Sequence, residues 1–193
     1  MPAAAINTDT RTGPSFGLGN RLKRVLWLVT WTVLCRWTPP PLHPWRAFVL
    51  RLFGARLGRG VHVYSSAKIW APWNLELADA AAIGRGAIIY SQGRISMGCR
   101  AVVSQGAHLC AGTHDFEKPG FPLLTKPIRL EDDVWIAAEA FVHPGVTVGE
   151  GTVVGARSVV VSDLPPWTVC SGFPAKPLRP RNRGKLSADA RDN

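Results

Sequence analysis

The sequence predicts an all-β solenoid: a parallel β-helix of about five coils, with helices at its N-terminus and a tail at its C-terminus. Three observations point to it. An aliphatic residue recurs every six positions from Leu57 to Val160, and that period is the signature of a repeat fold. Turn formers are abundant, 19 Gly and 16 Pro, while charged residues make up only 19%, which suits many short extended segments better than a helical bundle. The 193 residues are 46% hydrophobic, enough for one domain with a sizeable core.

Residues 1–20, rich in Ala, Thr, Gly and Pro, read as a flexible tail. Residues 21–56 read as a helical cap. Its first helix is Arg21 to Trp37, whose apolar core, Val25 to Cys35, has eleven residues. A spanning helix needs about 20, so this one is expected to pack on the domain, to lie in a membrane interface between its basic flanks, or both. Pro39, Pro40, Pro41 and Pro44 stop it. A second helix follows, with Trp45, Phe48, Val49, Leu52 and Phe53 on one apolar stripe and Gly54 ending it.

The β-helix spans 57–165. Its first coil carries Leu57, Val63 and Ile69; then come Leu77, Ile83 and Ile89; Met97, Val103 and Leu109; Leu130, Ile136 and Val142; and Val148, Val154 and Val160. Six residues make one short strand and one corner, three units close a triangular coil, and coils stack at the inter-strand spacing of about 4.8 Å. The aliphatic points inward. Four positions later the residue is small in ten of the fifteen units, which lets the corner close. Solenoid ends need caps. The helices can cover one end, and the tail from Pro165 can cover the other or run back along a face. Residues 166–193 form a basic tail.

One insertion interrupts the coil. Leu109 and Leu130 are 21 positions apart where six would do, so residues 115–129 leave the solenoid, and such excursions are usually functional. His114 and Asp115 stand at its root. The Pro- and aromatic-rich loop reads as a fixed arm.

The net charge is +10 and unevenly placed: no acidic residue lies between Asp9 and Glu76, but ten basic ones do. Two basic ends around a near-neutral middle suit an anionic surface or a phosphorylated ligand, and no nucleic-acid-binding motif is present. Cys35, Cys99, Cys110 and Cys170 form no C-x-x-C pair and read as buried small hydrophobes in a reducing compartment. No secretory signal is legible in the first twenty residues, so a cytoplasmic location is expected. His108 and His114 are one unit apart, hence on adjacent faces rather than stacked, which argues against a metal site.

The six-residue run, the loop opening GTHDF, the segment DVWIAAEAFVHPGVTVGEGTVVGARSVV and the ending PPWTVCSGFPAKPLR resemble the hexapeptide acyltransferases. The similarity is greatest to the colanic-acid and exopolysaccharide O-acetyltransferase subgroup, akin to maltose/galactoside and nodulation acetyltransferases. It implies a left-handed coil, a homotrimer with sites between neighbouring β-helices, acetyl-CoA as acyl donor without a metal, and a saccharide hydroxyl as acceptor. It implies that His114 is the catalytic base. Asp115 is either an acceptor contact or a turn residue, and Tyr90, Ser91 and Gln92 are candidates for the acceptor side. Trp135, packed on the loop, Ala138 and Ala156, by their backbone, and Lys176 and Arg179, by charge, are implied to hold the coenzyme. Ala137 and Ser162 depart from the Gly and Lys frequent among relatives. The competing readings are a non-catalytic scaffold and a metalloenzyme resembling γ-type carbonic anhydrase, which requires stacked histidines.

Overall fold

The computed structural model describes residues 15–182. The expected tail over residues 1–20 therefore lies mostly outside the described residues, as does the end of the basic tail beyond residue 182.

Two helices come first, α1 (Leu18–Leu34) and α2 (His43–Leu52). The chain then winds through short strands that stack in parallel as the three faces of a prism. The first face holds Arg56–Leu57, Leu75–Leu77, Ile95–Met97, Ile128–Leu130 and Thr147–Val148. The second holds His62–Val63, Ala82–Ile83, Val102–Val103, Trp135–Ile136 and Val153–Val154; the third holds Lys68–Ile69, Ile88–Tyr90, His108–Cys110, Phe141–Val142 and Val159–Val160.

The six-residue period and the strand register agree residue by residue. On the first face Leu57, Leu77, Met97, Leu130 and Val148 stand in line. Val63, Ile83, Val103, Ile136 and Val154 do so on the second, and Ile69, Ile89, Leu109, Val142 and Val160 on the third. All but the half-buried Leu57 are buried, and together they form one core. Close approach at the corners explains the glycines there. A Cβ on Gly84 would lie 2.8 Å from the backbone of Ser104 and Gln105 in the next coil.

Five coils are followed by part of a sixth. Leu164 bridges to Val148 on the first face, and Thr168–Gly172 stacks on Val153–Val154 on the second, burying Cys170. Ala175–Pro180 then turns back antiparallel along that last strand.

At the other end no coil precedes the first, so the carbonyls of its inward residues Leu57, Val63 and Ile69 turn toward the helices. Helix side chains supply the missing donors on all three faces. Arg51 donates to the Leu57 and Gly58 carbonyls, Arg46 Nε to Val63 O at 2.6 Å, and Trp27 Nε1 to Ile69 O at 2.7 Å. An unpaired buried carbonyl would cost about 1–3 kcal/mol, so these contacts, with Trp27, Trp31, Val49 and Leu50 in the core, seal the open end.

The expected stripe of α2 is split. Val49 is buried and Phe53 packs against the core, but Trp45, Phe48 and Leu52 face outward, and α2 turns Arg46, Ala47 and Leu50 inward. The reason is the edge below it: open carbonyls attract the guanidinium of Arg46, which is fully buried and also donates to Thr38, Pro39 and Pro40.

Candidate active site

Departures from an eighteen-residue coil gather at one edge of the prism, between the third and first faces. Leu57 to Leu77 and Leu77 to Met97 span 20 residues each, Met97 to Leu130 spans 33, and Leu130 to Val148 spans 18. The extra residues stack on one another. Asn74 Nδ2 donates to the carbonyls of Ser91 and Gln92, Ala111 N–H to Tyr90 O, and Lys126 N–H to Ala111 O.

The 15-residue excursion begins as a two-stranded antiparallel ribbon, Gly112–His114 against Leu123–Thr125, with His114 opposite Leu123. The ribbon makes the arm a fixed one at its root. Across its tip, the Nδ1 of His114 lies 2.7 Å from the carbonyl oxygen of Phe121. A carbonyl only accepts, so Nδ1 carries a proton, and Nε2 is the nitrogen left to act on a ligand.

His114 lines a cavity of about 240 Å³ together with Tyr90, Gln92, Trp70, Leu123, Phe16, Arg21 and Arg24. Gln92 Nε2 donates to the Tyr90 hydroxyl at 2.8 Å, leaving that hydroxyl's own proton to donate elsewhere. Burial raises the Tyr90 pKa, keeping the proton on. The Oε1 of Gln92 is buried without a hydrogen-bond partner among the described residues. On its other side Gln92 lines a groove of about 440 Å³ with Trp73, Asn74, Arg94 and Arg129. Another concavity, about 590 Å³, runs along the first face between Leu57 and Leu130 and is lined by no His or Cys.

Two expected acceptor contacts face elsewhere. Ser91 is fully buried: its Oγ accepts from Ala71 N–H at 3.0 Å and donates to Ala71 O at 2.9 Å, which ties two coils at the edge. Asp115 serves the loop turn, where it pairs with Lys118 at 3.4 Å and its N–H donates to Pro122 O. Conversely, Trp70, Phe16, Arg21 and Arg24 were absent from the sequence expectation. Trp70 was within reach of it, standing 20 positions before Tyr90 at the same place in the preceding coil. The α1 arginines gave no sequence signal, because only the fold brings that helix beside the loop. Arg24 stacks its guanidinium 4.4 Å from the Trp70 ring.

The expected coenzyme residues lie on a different part of the prism. Trp135 is on the second face, half exposed, and its indole N–H donates to Ser104 Oγ at 2.8 Å rather than packing on the loop. The loop leaves from the edge opposite that face. Ala138 and Ala156 sit one coil apart at the corner between the second and third faces, where Arg157 N–H donates to Ala138 O. Lys176 and Arg179 are exposed on the terminal strand beside the second face. A flat indole, two small corner residues and two exposed cations are groups that can meet an extended ligand with an apolar arm and phosphates. In a single chain they do not meet His114. Among the described residues, no group of three or more His, Cys, Asp or Glu is placed to hold a metal ion.

Comparison with known proteins bears on this geometry. Residues 127–162 match the bacterial transferase hexapeptide family (six repeats). The chain is 44% identical over 163 residues to the putative colanic acid biosynthesis acetyltransferase WcaF of Escherichia coli, covering 84% of this chain and 90% of that one. It is 28% identical over 123 residues to the galactoside O-acetyltransferase of the same organism, covering 64% and 56%. In fold it is similar to galactoside acetyltransferase in complex with coenzyme A, with a TM-score of 0.78 at 22% identity over 89% of this chain and 88% of that one. It is equally similar to a hexapeptide-repeat acetyltransferase of Vibrio cholerae complexed with acetyl coenzyme A, at 0.78 and 23% over 88% and 92%. The prism of six-residue repeats and a relative matched across most of both lengths lead to one conclusion: the chain belongs to the hexapeptide-repeat acetyltransferases, in the group of the colanic acid biosynthesis acetyltransferases.

Proposed function

We propose that the protein transfers an acetyl group from acetyl-CoA to a hydroxyl of a saccharide used in surface-polysaccharide assembly, with His114 as general base. The observation that carries the reading is the 2.7 Å contact from His114 Nδ1 to Phe121 O, which leaves Nε2 free at a polar cavity. A sugar hydroxyl is a weak nucleophile at neutral pH. Nε2 takes its proton as the oxygen attacks the thioester carbonyl; the carbon–sulfur bond breaks, and the imidazolium returns the proton to the departing thiolate. Tyr90 and Gln92 orient the acceptor at the cavity wall. The relatives named for colanic acid and galactoside acetylation support a saccharide acceptor, and those with coenzyme A or acetyl-CoA bound support the donor.

The donor residues Trp135, Ala138, Ala156, Lys176 and Arg179 occupy another part of the prism. A complete site therefore takes its base from one subunit and its coenzyme contacts from the next, as in a homotrimer. A cytoplasmic location follows from the need for acetyl-CoA.

Thiol release from acetyl-CoA across a panel of saccharide and lipid-linked acceptors tests the reading. His114→Ala should lower turnover about 100-fold or more, the usual scale for a general base, with melting little changed. Turnover near that of the parent would remove His114 from the mechanism. Calorimetry with acetyl-CoA separates an enzyme from a scaffold, which would release no binding heat.

A further inference from the structure

We propose that the outer face of α1, extended by α2, docks on the surface of an anionic lipid bilayer. The helix is amphipathic in the inverted sense. Its buried stripe carries Trp27 and Trp31 with the partly buried Asn20 and Arg24. Its water-facing side carries Leu18, Leu22, Val25, Leu26, Val29 and Val33, each more than half exposed. At about 100° per residue these six fall within roughly a 100° sector opposite the Trp27–Trp31 stripe. A surface helix of a water-soluble domain places polar residues there.

The apolar face continues onto α2. Trp45 donates its indole N–H to Leu34 O at 2.9 Å, joining the helices, and Trp45, Phe48 and Leu52 are also exposed. Trp37, 75% exposed just beyond α1, has the amphipathic ring favoured at headgroup depth. Exposed apolar surface of this extent marks an interaction surface.

Charge selects the occupant. Arg21 and Lys23 flank the apolar sector of α1, and Arg36 follows the helix; no acidic residue occurs from position 10 to position 75. A second copy laid on this face would set cation against cation, whereas anionic headgroups complement it. The helix has 17 residues, a length of about 25 Å, and no described helix is long and apolar enough to cross a membrane. It therefore lies in the plane of the interface.

The test uses the full chain with sucrose-loaded vesicles of phosphatidylcholine alone or mixed with phosphatidylglycerol. The comparison is a variant carrying Leu22→Gln, Leu26→Gln and Val29→Gln, three solvent-facing changes that leave the buried stripe intact. The parent should co-sediment with the mixed vesicles at low salt, about tenfold less with phosphatidylcholine alone, and lose binding as salt rises. The variant should stay in solution with unchanged melting. Parent protein that remains in solution with mixed vesicles overturns the proposal, as does a variant that binds equally well. A variant whose subunit count falls while the parent ignores vesicles overturns it too, and assigns the face to subunit contact. Vesicle binding is read without turnover, so failure of the acetyl-transfer reading leaves this test standing.

Discussion

Ser91→Ala separates an acceptor contact from a structural one. Ser91 is fully buried, and its Oγ satisfies both polar groups of the Ala71 peptide positions, accepting from N–H at 3.0 Å and donating to C=O at 2.9 Å. The carbonyl keeps a second donor, Asn74 N–H at 3.1 Å, but among the described residues the Ala71 N–H has no backbone acceptor to replace Ser91 Oγ. The substitution therefore leaves one buried donor unpaired, a loss of about 1–3 kcal/mol. For a domain of this size that lowers the melting temperature by roughly 2–12 °C. The edge should keep its path, since Asn74 Nδ2 still holds the carbonyls of residues 91 and 92. Thermal unfolding by circular dichroism gives the first quantity. Steady-state kinetics well below the melting range gives the second, where the acceptor KM should stay close to the parent value. An unchanged melting temperature with an acceptor KM raised about tenfold, a 1.4 kcal/mol loss in binding, would show that Ser91 touches the acceptor and that the structural reasoning is wrong.

Replacing Lys176 and Arg179 together by Ala should raise the KM for acetyl-CoA and spare that for the acceptor; the opposite pattern in two-substrate kinetics would place the acceptor on the terminal strand. Burial lowers the pKa of His43 and of His108, so both are held neutral in the fold. The unfolded chain then binds more protons, and stability is full above about pH 6.5 and declines as pH falls through the depressed folded values. His108→Phe, which suits the aromatic neighbours Tyr90 and Phe141, should flatten that decline in melting scans from pH 7 to pH 5. Arg46→Met should destabilise the chain by more than about 3 kcal/mol in urea unfolding, because it strips donors from buried carbonyls. A smaller loss would mean that water replaces the guanidinium.

The fold was legible because a solenoid repeats its constraint. Each coil must place an aliphatic inward at the same three positions, so the period shows in the sequence and the register follows from it. What did not repeat was harder to see. Leu164 and Cys170 enter the core sixteen positions after Val148 and Val154, out of step with the eighteen-residue coil, so the period alone does not reveal the sixth turn. The outward stripe of α2 looked like a core face because apolar periodicity carries no sign; the unpaired carbonyls that turned Arg46 inward belong to strands elsewhere in the chain. In the candidate site, the loop root marked His114, and the neighbouring coil marked Tyr90 and Gln92. Side-chain direction could not be read for Ser91 or Asp115, since a corner aims successive residues by local turns and not by a period. Separation of the proposed coenzyme residues from His114 is a property of faces, visible only once the prism is closed.

The gathering of every irregular coil length at a single edge bears on how this scaffold can change. In most β-structure, adding or removing a residue throws the following side chains to the wrong side of the sheet. Here the added residues of the first three coils bulge out between the third and first faces, and the chain resumes its inward pattern at Leu77, Met97 and Leu130 with the ladder in line. Insertions and deletions at that edge are absorbed without disturbing any later coil. The walls around His114 can thus be lengthened, trimmed or exchanged by a kind of genetic change that would wreck the other two edges, so the acceptor choice we propose for that cavity is free to drift while the core stays as it is.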